Sequence, residues 1–277
     1  MILIYRRKEC ILYSAKMLNS KKENLMMKKF LAIVLALTFV FAFVACGEKK
    51  DPEFKDVKSE GVMTYDEFAS AALESKVTIE GYVQAKQVYS EEYGNTSLYL
   101  QDTKGAYFVY RLACTTEEYA KFTEGVKVKI VGYKAEWSGE IEIIDVESFS
   151  VDASEKYTAP VFDATSILGT DELIKHQNEK VSFKGLTVKA STDADGNEVA
   201  YLYKWNGTGA EGDDLYFNVA LGDKEFQFVV ESDLCGADTE VYKAVKNLKI
   251  GDTIDLEGFL YWYNGANPHI TSVKVVK

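Results

Sequence analysis

An all-β protein with short helices, made of two copies of one five-stranded unit, is what the sequence predicts. Three observations carry this. Val, Ile, Tyr, Phe and Thr are abundant and only three of 277 residues are Pro, a composition that favours strands. Lys76-Val77-Thr78-Ile79-Glu80-Gly81 returns as Lys180-Val181-Ser182-Phe183-Lys184-Gly185. Gly125 and Gly132, which bracket Val126 to Val131, return as Gly251 and Gly258, and each pair leads into an aromatic cluster and a third glycine, Gly139 and Gly265. A repeat of roughly a hundred residues means two copies of a domain and not a solenoid.

The chain opens with a segment of different character. Lys28 and Lys29 precede an uncharged run from Phe30 to Ala45. A positive start, an apolar stretch and small residues at the end make a secretory signal peptide. The run is shorter than the roughly twenty residues a membrane-spanning helix needs. It ends Phe43-Val44-Ala45-Cys46, which resembles the bacterial lipobox. That resemblance implies a lipidated Cys46 as the mature N-terminus and a chain held on the extracytoplasmic face of a cell membrane. Residues 1–45 are therefore read as the signal peptide. Residues 1–25 have no periodic apolar face; Met26 or Met27 is the expected start, with an extended positive start of the signal as the alternative. The polar stretch 46–62 is read as a flexible, lipidated tether.

The first copy, residues 63–152, reads in order. Thr64-Tyr65-Asp66-Glu67 matches the capping box before a short helix. Strands are expected over 77–88, 97–101 and 106–112, the last two joined by the hairpin chemistry of Asp102-Thr103-Lys104-Gly105. A helix follows over 115–122, with Thr116 as N-cap and acids in its first turn. Strands over 126–137 and 140–151 flank Ser138-Gly139. After a linker at 153–164, the second copy, 165–277, repeats the pattern. Its strands are expected over 181–189, 215–221, 225–230, 253–263 and 269–275, its helix over 238–245, and an insertion over 191–214. Three strands, a helix and two strands resemble the OB-fold, a small five-stranded barrel. The resemblance implies two tandem OB-fold-like barrels, with a bend at the glycine of each first strand.

Charge narrows the function. Residues 1–45 hold eight of the 32 basic and two of the 43 acidic residues, so the remainder carries 24 against 41, a net of −17. Nucleic-acid binders draw much of their affinity from phosphate neutralisation, so nucleic acid is the less favoured ligand. An anionic membrane surface would also repel the chain, which leaves the lipid to hold it there. Cys114 and Cys235 are the cysteines after Cys46, and such sparse use suits a chain that folds without disulfides.

The OB resemblance implies a binding face across strands two and three, framed by flanking loops. Strand alternation places Leu98, Leu100, Ala106 and Phe108 inward and Tyr99, Gln101, Tyr107 and Arg111 outward. Tyr99, Tyr107 and Trp137 then form an aromatic platform, with Arg111 and Asn95 at its edge. In the second copy Tyr216, Asn218 and Gln227 face outward, with Trp205, Trp262 and Tyr263 on the flanking loops. Aromatic faces stack on sugar rings, apolar side chains and bases alike. Outward tyrosines also suit any exposed strand. Ser191 to Glu198, STDADGNE, departs from the EF-hand pattern in the place of its Gly and the missing final Glu, so a hairpin turn is preferred to a calcium loop. The only histidines are His176, read as an exposed helical residue, and His269, read as structural, and neither lies in a catalytic motif. The expectation is a non-catalytic binding lipoprotein without metal or cofactor. Its ligand is an oligosaccharide or peptide, with nucleic acid or a partner-docking scaffold as alternatives.

Overall fold

The computed structural model describes residues 54–276, so the signal-like segment, Cys46 and the first part of the tether lie outside the described residues. The tether expected to stay free to residue 62 is docked from Phe54 onward. The Phe54 ring stacks on Tyr157 at 4.7 Å, and Lys58 pairs with Asp56 at 2.8 Å and with buried Asp102 at 2.7 Å.

Helix α1 (Tyr65–Ser70) opens the first barrel. Its capping box is complete, with the Glu67 N–H donating to Thr64 Oγ1 and the Thr64 N–H to the Glu67 carboxylate. Strands β1 (Lys76–Lys86), β2 (Asn95–Gln101) and β3 (Ala106–Ala113) follow. Next come a single helical turn, α2 (Thr116–Tyr119), and strands β4 (Val126–Trp137) and β5 (Glu140–Lys156). The N-cap of α2 is Thr115 and not the expected Thr116: Thr115 Oγ1 accepts from the Glu118 N–H. The five strands close as β1-β2-β3-β5-β4. Val77, Ile79, Leu98, Leu100, Tyr107, Val109, Val128 and Ile130 fill the interior, and Phe68 and Phe122 close it. At the C-terminus of α1, buried Lys134 donates to the carbonyls of Phe68, Ala69 and Ala71 at 2.8–3.0 Å. It satisfies acceptors the helix leaves open and brings a positive charge to the negative end of its dipole.

A short strand β6 (Phe162–Asp163) and two 3-10 turns, Thr165–Ile167 and Leu173–His176, lead into the second barrel. Its strands are β7 (Lys180–Lys189), β11 (Leu215–Leu221), β12 (Lys224–Val230), β13 (Thr253–Phe259) and β14 (His269–Val276). Helix α3 (Glu240–Lys246) precedes β13. The insertion carries the short pieces β8 (Ser191–Thr192), β9 (Glu198–Val199) and β10 (Leu202–Tyr203). Strand β11 pairs with β7 and with β12, so β7-β11-β12-β14-β13 closes in the same order as the first barrel. The protein is thus all-β with short helices and two OB-type five-stranded barrels. β13 ends at Phe259, four residues short of the expected strand, because the chain leaves the sheet to meet the first barrel. The STDADGNE stretch is a hairpin turn between β8 and β9, where Asp193 Oδ1 accepts from the Asp195 and Asn197 N–H groups. Among the described residues, Cys114 and Cys235 are free thiols.

The repeated glycines mark a crossing of strands. A Cβ on Gly132 would lie 2.8 Å from Ile143 Cγ2 and 2.9 Å from the Ile144 carbonyl. On Gly258 it would run into the His269 carbonyl and lie 2.8 Å from Ile270 Cα. Both sit at register shifts where the fourth strand of a barrel bends across the fifth.

Candidate ligand cleft between the barrels

The outward face of β2 and β3 in the first barrel, where the OB resemblance placed the ligand, is covered by the second barrel. Tyr99 and Phe108 are cross-strand partners on that face, and both are buried. The Tyr99 ring stacks on Phe259 at 4.4 Å, and its hydroxyl is 2.8 Å from His269 Nδ1. Burial raises the Tyr99 phenol well above its ordinary pKa, and Glu231 and Glu140 add to this.

Polar contacts extend the seam on either side. The Val88 N–H donates to the Asp233 carbonyl at 2.7 Å, Gln87 Nε2 donates to Glu231 Oε1, and the Lys180 N–H donates to Gln101 Oε1 at 2.9 Å. At the far end two turn tips meet, with the Asn264 N–H donating to the Ser138 carbonyl and Gly139 passing against Trp262. Glu140 sits beneath them at 0% exposure, accepting from Asn178 Nδ2 at 2.6 Å and the Trp262 N–H at 2.8 Å. Burial raises its carboxyl to about 8, against the pull of those two donors.

Beside this seam lies an open cleft of ≈ 880 Å³. The first barrel contributes Gln87, Phe108, Tyr110 and Trp137. From the second come Trp205, Asp214, Tyr216, Gln227, Val229, Glu231, Tyr261, Tyr263, the turn 264–267 and His269. Among the described residues, seven Phe, Tyr and Trp side chains, His269 and two carboxylates line it, and no Lys or Arg does. Tyr261 stacks on His269 at 4.3 Å and meets Phe108 edge-on at 5.4 Å, so these rings are held in place. Burial raises the Glu231 carboxyl, but neighbouring His269 and Gln87 outweigh it and hold the group below its ordinary value. Glu231 Oε2 lies 3.2 Å from His269 Nδ1, within reach of ionic attraction but without hydrogen-bond geometry.

Of the residues expected at a binding face, Trp137, Trp205, Tyr216, Gln227 and Tyr263 line the cleft. Two expectations are corrected. Tyr107 points into the barrel and donates to Asp102 Oδ2 at 2.9 Å, because it pairs across the hairpin with Leu100 and partners share a face. Tyr99 does point out of its barrel, but the second barrel covers it, so the two tyrosines form no platform. Arg111 is exposed beside the cleft, its guanidinium 4.9 Å from the Tyr110 ring centre. Trp262 belongs to the seam. Asn218 donates to the Ala190 carbonyl at 3.1 Å and does not line the cleft. Sequence reasoning missed Tyr110, Tyr261, Asp214 and Glu231. Tyr110 was missed because it shares a face with Phe108, which was expected inward but points out of the barrel opposite Tyr99; the bulge between Thr96 and Leu98, with Arg111 at φ 49°, comes only after it.

No family model matches the chain, and no curated protein matches it. Among solved structures, the p202 HIN1 domain in complex with a 12-mer dsDNA is 16% identical at a TM-score of 0.31, over 75% of this chain and 96% of that one. The p204 HINb domain is 12% identical at a TM-score of 0.30, over 71% and 95%. The S. pombe Stn1–Ten1 complex is 20% identical at a TM-score of 0.23 over 28% of this chain, which spans 59% of the chain it matches. The superpositions are loose, and the barrel architecture stands on the strand pairing described above.

Proposed function

We propose that the two barrels form one non-catalytic binding module whose ligand lies in the cleft between them, and that Cys46 anchors this module to the outer face of a membrane through lipid. The observation that carries the first part is the cleft lining: seven Phe, Tyr and Trp side chains and two carboxylates, with no Lys or Arg among the described residues. Aromatic faces grip rings and apolar side chains, and carboxylates and amides accept and give hydrogen bonds at the edges. That chemistry suits an oligosaccharide or a peptide.

Nucleic acid is the second reading. OB barrels as a class stack bases on aromatic faces, and the p202 HIN1 domain is seen in complex with dsDNA. Against it stands the net charge of −17 after residue 45, with no Lys or Arg in the cleft to meet a phosphate.

All three tryptophans of the chain lie at the cleft or its seam, so intrinsic fluorescence reports on binding. Titration with oligosaccharides, peptides and single-stranded DNA at two salt concentrations separates the readings. A shift with sugar or peptide that Trp137→Ala and Trp205→Ala abolish is expected. A shift with DNA alone, lost at high salt, would favour the second reading. For the anchor, Cys46→Ser should release or stall the protein while leaving the barrels folded. Mature-size Cys46→Ser protein that still fractionates with membranes would exclude the lipobox.

A further inference from the structure

We propose that the occupant of the cleft is a peptide that presents a cationic side chain, lysine or arginine, to Asp214 and Glu231 between the cleft's aromatic faces. This deepens the reading of the cleft as the binding site and rests on it.

Three observations converge. The first is unspent negative charge. Asp214 Oδ1 accepts from the Ser232 N–H at 2.8 Å and its hydroxyl at 2.7 Å, whereas Oδ2 has no hydrogen bond or ion pair among the described residues. Glu231 has one oxygen on Gln87, and the other lies 3.2 Å from His269 Nδ1 without a hydrogen bond, so its charge is only partly met. A carboxylate in a partly dry, aromatic-lined site interacts more strongly with an incoming cation than it would in open water.

The second observation is the field those groups create. Burial raises the Tyr216 phenol to about 12, with Asp214 and Glu231 adding to it. Burial likewise raises the Asp233 carboxyl, again with Glu231 and Asp214 adding. Neighbours on different stretches of chain thus sense the same negative potential.

The third is an intramolecular precedent. Arg111 places its guanidinium 4.9 Å from the Tyr110 ring centre and 5.6 Å from that of Tyr93, and its charge opposes the rise at Asp233. The rim of the cleft already holds one cation against aromatic faces, within the field of an acid. A saccharide would use the aromatic faces but leave Asp214 without a counter-charge and Glu231 with His269 alone, and a polyanion would meet both carboxylates head-on.

The probe is acetyl-Ala-Lys-Ala-Lys-Ala-amide, titrated into the full chain by tryptophan fluorescence. Its partner is the same peptide with both lysines Nε-acetylated, which keeps length and removes charge. Loss of the cation–aromatic and ion-pair contacts is expected to weaken binding by about tenfold. Asp214→Asn should bring the two peptides to within about twofold while the fold persists by circular dichroism. Since an acidic chain attracts cationic peptides everywhere, Trp205→Ala must also weaken the lysine peptide. Equal affinity for the two peptides overturns the inference, and so does no shift with the lysine peptide up to about 1 mM. Binding of maltohexaose in either case would leave the cleft reading intact. Lysine-peptide binding unaffected by Trp137→Ala and Trp205→Ala would place the ligand elsewhere and sink the cleft reading itself.

Discussion

Glu140 joins the two barrels with a carboxyl that the seam holds largely uncharged at neutral pH. Its ordinary pKa of 4.5 is raised to about 8 by complete burial, while Asn178 and the Trp262 N–H pull the other way. The native state therefore keeps a proton that the unfolded chain gives up. Between those two values the native state binds the extra proton, so stability falls as pH rises, and the fall ends once pH passes the native value. Integrated from pH 5 to pH 9, the loss is on the order of 4 kcal/mol. With a slope of about 2–3 kcal/mol per molar urea, the unfolding midpoint should drop by about 1–2 M.

Glu140→Gln keeps the shape and removes the proton. Its amide can meet Asn178 Oδ1, which is buried without a partner, if the Asn178 amide turns over. The variant should lose most of the pH dependence and exceed the wild type at pH 9. A smaller slope should remain from Glu142, which burial raises to about 7. The assay is urea unfolding followed by tryptophan fluorescence, since Trp262 packs at the same seam. A wild-type midpoint that is flat or rises from pH 5 to pH 9, or an equal fall in Glu140→Gln, would refute the reasoning.

Two further substitutions probe the barrels. Gly258→Ala drives a Cβ into the His269 backbone carbonyl, which cannot step aside as a side chain would, and should cost about 3 kcal/mol or more in urea unfolding. A loss under about 0.5 kcal/mol would mean that β13 does not cross β14 there as described. Lys134→Met keeps the aliphatic stem but leaves the Phe68, Ala69 and Ala71 carbonyls without their buried donor. A loss of about 2–3 kcal/mol is expected, with α1 amides exchanging faster by hydrogen exchange.

Most of the secondary structure was legible because it is written in local signals. The Thr64–Glu67 capping box, the alternating strands and the glycine-marked turns each depend on residues a few positions apart. Helix α2 slipped by one residue because Thr115 and Thr116 are both competent caps, and only Thr115 stands three residues before Glu118. Tyr107 was misplaced for a different reason. Alternation along one strand says which residues share a face but not which face, and the pairing with Leu100 decides that.

The candidate site was legible only in part. Trp137, Tyr216 and Tyr263 stand on loops or open faces that the repeat itself points to. Asp214, Glu231 and Tyr261 carry no pattern of their own, and they matter only because the barrels meet beside them.

The sequence by itself determined the all-β character, the duplication and the acidity, since these follow from composition and from short-range periodicity. Only the tertiary structure decided that the second barrel sits on the first one's strand-two and strand-three face. That choice turns Tyr99 from a surface residue into the centre of a seam and moves the open aromatic surface into the cleft beside it. The physical reason is that docking depends on the shape and chemistry of two finished surfaces. The residues that make those surfaces, such as Tyr99 with Phe259 or Gln87 with Glu231, lie far apart along the chain and bear no local mark of each other.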